Sequence, residues 1–362
     1  MNYSTMEKII DPVSVDLLKA ELTPDKKLRD SNKGGNEIYV INHHNSPNLM
    51  REIARLREIS FRDGGGGTGM EMDIDEFDTM EKPYEQIMVW DPDAEAIIGG
   101  YRYILGPDVT FRENGQPNIT SADLFHYSDT FIKDYLPHVI ELGRSFVTPE
   151  YQSSKAGAKA LFAMDNLWDG ISAVIMLHPN IMYMLGKMTM YPSFNRAGRD
   201  LILHFLWKHF GDKEELVRPY NPVMPVSNGE LMDLILCDKD FRDDYKNLKE
   251  AIHRLGTNIP PLINSYMNTS PSMKMFGTTV YDEFGSTEET GILVCFNEMY
   301  PEKRARHVDS FLKNKMQEIR GRFPNLAEDF EQKISERWNQ RRDNAFSRFL
   351  HRRGRQKRKE EQ

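Results

Sequence analysis

Short apolar runs and longer helical periodicities follow one another along most of the chain. Residues 37–41, Glu-Ile-Tyr-Val-Ile, read as a first strand. Asn45-Ser46-Pro47 then opens a helix whose apolar positions Leu49, Met50, Ile53 and Leu56 recur at helical spacing, with Ile59 and Phe61 closing it less regularly. The glycine run at 64–67 predicts a flexible loop. Residues 87–90 and 96–103 predict a hairpin around Asp91-Pro92-Asp93. A short buried strand at 141–147 runs into a polar loop beginning near Pro149, and a helical pattern follows from 156 to 175.

Further on, residues 181–191 read as a strand and 195–210 as an amphipathic helix carrying Leu201, Leu203, Phe205 and Leu206. One or two charged helices are inserted at 229–255, and a short helix starts at Pro260-Pro261. Val280-Tyr281 and residues 291–296 supply the last strands, and 301–350 reads as helical and highly charged. Residues 1–35 are polar, so an extension is expected to end at the breaker Asp30-Ser31-Asn32-Lys33-Gly34-Gly35. The sum is a mixed α/β fold, a sheet with helices on both sides. It divides into an extension (1–35), a main domain (36–300) and a basic helical C-terminal extension (301–362).

Composition narrows the class. The 362 residues are enough to bury a substantial core, and 39% apolar with 28% charged fits a globular protein. No run approaches the roughly 18 apolar residues that span a bilayer, and the start lacks a secretory layout. Cys237 and Cys295 are the two cysteines, which excludes a disulfide framework and points to a reducing, cytoplasmic setting. No metal is expected: there is no Cys/His cluster of zinc spacing, and His43-His44 lie in a polar stretch. The net charge of -8 is uneven. Residues 301–362 carry 18 Lys and Arg against 10 Asp and Glu, leaving 29 basic against 45 acidic before them. The densest positive block, 351–359, suits anionic partners, either an acidic protein or an anionic membrane surface. It lacks the interleaved aromatics of nucleic-acid binders, and nucleic acid is not expected.

The chemistry concentrates at the 141–147 strand. A carboxylate and a guanidinium inside an apolar strand are costly unless paired or used. A loop with free amides at a helix start suits an anion or a polarised carbonyl. Glu141 and Arg144 are three apart and face opposite sides of a regular strand; both serve one site only if Gly143 permits a bulge. Arg57 and Phe61 share one helical face. Asp75 and Asp78 sit in an acidic turn that begins at Asp73, and Arg102 lies in a strand between two tyrosines. Arg57, Arg102 and Arg144 with Asp75 and Asp78 are therefore expected to form a charge network on one side of the sheet.

These residues, in this order, resemble the GNAT superfamily of N-acyltransferases. Within it, the similar branch is that of acyl-homoserine-lactone synthases and the hemolysin-like ornithine- or glycine-lipid N-acyltransferases. The family's Arg-x-x-x-Phe is matched by Arg57 and Phe61, its Asp-x-x-Asp by Asp75 and Asp78, its strand Arg by Arg102, and its Glu-x-x-Arg by Glu141 and Arg144. Tyr183-Met184-Leu185-Gly186, the Pro260-Pro261 segment, Phe276-Gly277 and Asp282-Glu283-Phe284 extend the likeness over residues 36–300. The resemblance implies a mostly antiparallel central sheet and an acyl transfer with no bound cofactor. The acyl donor, a carrier-protein phosphopantetheine thioester or acyl-CoA, passes a (3-hydroxy)fatty acyl group to the amine of glycine or ornithine in aminolipid synthesis.

On the donor side, Phe146, Val147, Gln152, Lys155 and Gly157 are expected to contribute, with Met188 beside the acyl chain. Coenzyme A-using relatives place a glycine where this chain has Lys155. A side chain there crowds a pyrophosphate, which favours acyl carrier protein. In the catalytic pair Glu141 is the expected base, acting directly or through water, and backbone amides after the strand would hold the oxyanion. Arg102 or Arg144 would bind the acceptor carboxylate, unless the ion network is architectural. The chain is expected on the inner face of the cell membrane, held peripherally by 351–359. The alternatives are a coenzyme A-dependent acetyltransferase and a non-catalytic, membrane-associated binding protein.

Overall fold

Alternation along each strand gives the sheet two faces of different chemistry, and each face gathers its own helices. In the computed structural model, residues 6–152, 157–225, 229–237, 240–322 and 336 are described. The strands are β1 (Lys27–Asp30), β2 (Glu37–Ile41), β3 (Glu85–Asp91), β4 (Ala96–Leu105), β5 (Phe125–Tyr127), β6 (Val139–Val147), β7 (Tyr183–Met190), β8 (Val217–Pro219), β9 (Lys274–Tyr281) and β10 (Thr287–Cys295). Eight of them form one sheet in the order β1-β2-β3-β4-β6-β7-β10-β9, while β5 and β8 pair separately. All neighbours in the large sheet are antiparallel except β6 and β7.

One face is apolar and continuous. Ile87, Val89, Tyr101, Ile140, Leu142 and Met184 meet Leu167, Trp168, Ile171 and Val174 of the Gly157–Leu177 helix. Gly170 is required there, because a Cβ would lie 2.5 Å from a methyl of Ile87. On the other face, Met88, Trp90 and Phe146 take the buried stripe Leu49, Met50, Ile53 and Leu56 of the Pro47–Gly64 helix. Each such buried side chain contributes roughly 2 kcal/mol, which is why the helical spacing of these positions was readable. Glu21 caps this helix, accepting from the amides of Asn48 and Leu49. A second cluster on that face joins Ile104, Val139, Leu185 and Leu293 to Phe125, Tyr127 and Phe131. By register, the same face also carries Gln86, Arg102, Glu141, Lys187 and Glu289.

β6 and β7 pair over only three positions, from Val139 opposite Tyr183 to Glu141 opposite Leu185, and then part. Beyond that point β6 is bulged: its register against β4 shifts between Gly100 and Arg102, and Arg144 takes a left-handed backbone with φ 47°. An extra residue in one strand bends it and deepens its twist. The expected bulge is present, but Arg144 rather than Gly143 bears the unusual torsion.

Several sequence expectations change. Residues 15–21 form a helix and β1 extends the sheet edge, both within the stretch read as an extension. The 64–67 glycine run closes the Pro47–Gly64 helix, the Gly65 and Gly66 amides donating to the Arg62 and Phe61 carbonyls. Glu58 is fully buried beneath it and accepts from the amides of Thr68 and Gly69 and from the Thr68 hydroxyl. β10 starts at Thr287 rather than Gly291, since Thr-Glu-Glu-Thr resembles a loop by polarity although its side chains are buried. The 229–255 insertion forms two helices, Gly229–Ile235 and Phe241–Arg254. Residues 301–322 are helical and dock on the Gly157–Leu177 helix, with His307 2.8 Å from Asp169. Apart from residue 336, the remainder of the C-terminal reading, including 351–359, lies outside the described residues. Among them no helix is long and apolar enough to cross a membrane.

Candidate active site

Where β6 and β7 part, a cleft of about 690 Å³ opens through the sheet. Strand alternation gives it two kinds of wall. Tyr101, Leu142, Met190, Leu262 and Tyr266 line one end, and Arg102, Thr120, Arg144, Lys187, Thr189 and Glu289 line the other. Phe61, Tyr191 and Phe284 also border it. Tyr191 rests on the glycine run: a Cβ on Gly64 or Gly66 would come within 2.9 Å of its ring. A half-apolar, half-ionic channel of this size falls within the roughly 300–1,000 Å³ of small-molecule sites.

The expected charge network is present beside the charged wall. Arg57 is completely buried and donates to Asp78 at 3.0 Å and to Gln86 at 2.5 Å. Gln86 in turn donates to the other Asp78 oxygen at 3.1 Å. Arg102 donates to Asp75 at 2.7 Å and to Asp78 at 3.1 Å. Asp75 and Asp78 close a reciprocal cap on the Glu76–Thr79 helical turn, which fixes both carboxylates. Burial alone would raise the Asp78 pKa, but Arg57 and Arg102 pull it down to about 2. Burial likewise opposes the charge on Arg102, and Asp78, Asp75 and Asp73 more than reverse that, raising its pKa.

Arg144 closes the network through Asp73, which was noticed in the sequence only as the start of the acidic turn. Its Nε lies 3.0 Å from Asp73 Oδ2, an ion pair without an aligned hydrogen bond. Its guanidinium sits 4.4 Å from the Phe284 ring centre, and Phe61 meets Phe284 edge-on at 5.1 Å. Asp73 is fully buried, and that burial outweighs Arg144, Arg57 and Arg102, so its pKa is raised. Arg57, Arg102 and Arg144 thus meet Asp73, Asp75 and Asp78 in one network. Arg102, Arg144 and Phe61 reach the cleft, whereas Arg57, Asp75 and Asp78 do not border it.

Glu141 is placed behind the cleft rather than on it. Its Oε2 accepts the Tyr84 hydroxyl, and its Oε1 accepts the Ser121 amide at 2.9 Å, the Ser121 hydroxyl and the Thr120 hydroxyl at 3.3 Å. Glu141 does not border the cleft, and Thr120, which donates to it, does. For Tyr84, burial first, then the Glu141 charge and the hydrogen bond to it, drive the phenol pKa well up.

The donor-side expectations fare differently. Phe146 packs under the Pro47–Gly64 helix and Met188 against the opposite layer, so neither lines the cleft. Leu142, Met190 and Leu262 supply the apolar wall instead. Val147 also stands away from the cleft, and its carbonyl accepts the Gln152 side-chain amide at 2.6 Å. The amide of Thr148, just past the strand, is engaged by the Ile98 carbonyl at 2.9 Å and is not available to an oxyanion. Gly157 begins the long helix, while Lys155 lies outside the described residues.

Comparison with known proteins adds the lineage. The acetyltransferase (GNAT) domain family matches residues 56–161, the stretch running from Leu56 past Glu141 and Arg144. A Bacteroides thetaiotaomicron protein named glycine N(alpha)-acyltransferase is 58% identical over 309 residues, covering 85% of this chain and 92% of that protein. A protein of the same name from Phocaeicola vulgatus is 56% identical over 308 residues, covering 85% and 94%. The chain belongs to the GNAT N-acyltransferase family. It is an acyltransferase, and the ordered motifs had pointed to this superfamily. Two solved structures superpose loosely, each with a TM-score of 0.33 and 76% of this chain covered. One is a CoA-dependent acyl-homoserine lactone synthase with SAM and isopentyl-CoA, 11% identical with 89% of it covered. The other is an N-acyl amino acid synthase from uncultured soil microbes, 10% identical with 98% of it covered.

Sequence reasoning missed much of this acyltransferase's cleft. Tyr84, Thr120 and Ser121 hold Glu141, and Lys187, Thr189 and Glu289 line the charged end, yet none belongs to a recognisable local motif. One signal was available. Glu288-Glu289 inside a β-branched run places two adjacent carboxylates on opposite faces of a strand, and both must be accounted for.

Proposed function

We propose that the protein transfers a fatty acyl group, 3-hydroxylated in the reading the family resemblance gives, from an acyl carrier protein thioester to the amine of glycine, in aminolipid synthesis. The observation that carries this reading is the 58% identity, over nearly the full length of both chains, to a protein named for acylating glycine. The cleft supports it. An opening between two parting strands admits a slender thioester arm, with the acyl chain at the Leu142 and Met190 end and the acceptor at the charged end. β6 past Glu141 has no partner on the β7 side, so backbone amides on that edge are suited to the oxyanion. The amine attacks only when neutral. Thr120 Oγ1 accepts the amine's proton as it passes its own to Glu141, the C–S bond of the thioester breaks as the amide forms, and the thiol leaves protonated; Tyr84 and Ser121 keep Glu141 in place. Arg144 and Arg102 stay with their aspartates and set the shape and field of this end. Segment 351–359 serves to bring the enzyme to an acidic carrier protein or to the anionic inner membrane surface.

Purified protein incubated with glycine, ornithine and either a 3-hydroxyacyl carrier protein or the matching acyl-CoA tests this, with products read by mass spectrometry. N-acylglycine formed faster from the carrier-protein thioester is expected. Faster transfer from acyl-CoA would reassign the donor, and no acylation of glycine from either donor would refute the function.

A further inference from the structure

We propose that Lys187 and Glu289 form the seat of the acceptor, gripping the carboxylate and the ammonium of a free α-amino acid at the two ends of its zwitterion. The inference rests on the amino-acid N-acylation reading and names how that acceptor is held.

Strand register creates the pair. On β7 and β10, Lys187 stands opposite Gly291 and Thr189 opposite Glu289, so Lys187 and Glu289 share a face as diagonal neighbours. Diagonal neighbours across a ladder are separated by roughly 7–8 Å. Both residues border the cleft, yet their charged groups form no ion pair with each other within 4.0 Å. A small molecule with a cationic and an anionic end fits between two such charges.

Each charge is left for a ligand to answer. Among the described residues, Lys187 has no ion pair or hydrogen bond; its ammonium lies 5.3 Å from the centre of the Tyr281 ring. Burial depresses its pKa; Glu289 and Glu141 resist that shift, while Arg144 and Arg102 reinforce it. Glu289 is buried, with Oε2 accepting the Thr189 hydroxyl at 3.0 Å and Oε1 the Thr287 hydroxyl at 2.9 Å. These neutral donors orient the carboxylate without cancelling its charge. The adjacent Glu288 makes the contrast: on the other face it is paired with Arg196 and with Arg199, the latter at 3.3 Å. Of these two neighbouring carboxylates, the one on the far face is answered by arginines and the one facing the cleft by hydroxyls. Arg102 and Arg144 are already matched by Asp75, Asp78 and Asp73, so among the described residues Lys187 is the cation of this wall open to an incoming carboxylate.

Steady-state acylation by the wild type, Lys187→Met and Glu289→Gln tests the seat, with glycine and glycinamide as acceptors and thermal unfolding as a check on the fold. Losing one charge-assisted contact is expected to raise the glycine KM about tenfold or more in either variant while the donor KM stays within about twofold. Glycinamide lacks the carboxylate charge, so the preference for glycine over it should collapse in Lys187→Met and persist in Glu289→Gln. Folded variants that keep the glycine KM, or a Lys187→Met that keeps the preference, would overturn the proposal. If the wild type acylates no amino acid, the functional reading fails separately. Calorimetric titration with glycine then tests the seat alone: binding lost in both variants supports it, and no wild-type binding, or binding unchanged in the variants, refutes it.

Discussion

Two populations of ionisable groups stand at or behind the charged end of the cleft, and they differ in one respect. Beside β4 and β6, Arg57, Arg102 and Arg144 are matched one for one by Asp73, Asp75 and Asp78, and most of these contacts are buried. Across the gap, on β7 and β10, Lys187 and Glu289 face the same space with no counter-charge in ion-pair range among the described residues. A buried charge is tolerable when its partner is built in. The first group therefore behaves as architecture: it ties the Pro47–Gly64 helix and the Asp75 turn to the sheet. In the second group the missing partner is supplied from outside. Charge density alone would not separate the two; the pairing does.

Breaking the first group should have the largest effect. Arg57→Ala leaves Asp78 with one of its two arginines and Gln86 without a donor. Removing one member of a buried pair costs about 3–5 kcal/mol, read as a lower urea midpoint at unchanged slope. The pH dependence sharpens the comparison further. The Asp78 carboxyl is held near a pKa of about 2, below its ordinary 3.8. Its contribution is complete above that ordinary value and fades as pH falls toward 2, a loss of about 2 kcal/mol. Asp73 is shifted the other way, so its contribution is complete below 3.8 and is lost as pH rises through its raised value. Asp78→Asn should therefore flatten the acid limb of the stability curve, and an acid limb unchanged by that substitution would sever Asp78 from the network.

The smallest effect should carry the opposite sign. The Lys187 pKa is depressed, so below it the folded state bears an ammonium it disfavours; stability from this group returns only at alkaline pH. Lys187→Met should accordingly stabilise the protein at neutral pH by about 1 kcal/mol, a higher Tm at the expense of acceptor binding. A lower Tm would mean that Lys187 is structural after all, and the contrast between the two groups would vanish.

How far the site was legible follows from the same distinction. Arg57 with Phe61 and Asp75 with Asp78 are spaced by a helical turn and a capped turn, so local rules bring each pair together. Lys187 and Glu289 lie in strands far apart in sequence and meet only through register. Phe146 and Met188 illustrate the converse error. Apolar strand residues near a site were expected to line it, but each points into a packed layer. Glu141 was legible as a candidate base, while the hydroxyls and amide that hold it come from residues 84, 120 and 121.

By itself the sequence determined the α/β class, the Pro47–Gly64 and Gly157–Leu177 helices, the central hairpin and the superfamily. These depend on periodicity and short-range spacing, which the chain carries locally. Only the tertiary structure decided where β6 leaves β7, which charges are cancelled and which stay open. Those depend on the torsion of one bulged arginine and on register between strands, and neither is encoded within any short window of residues.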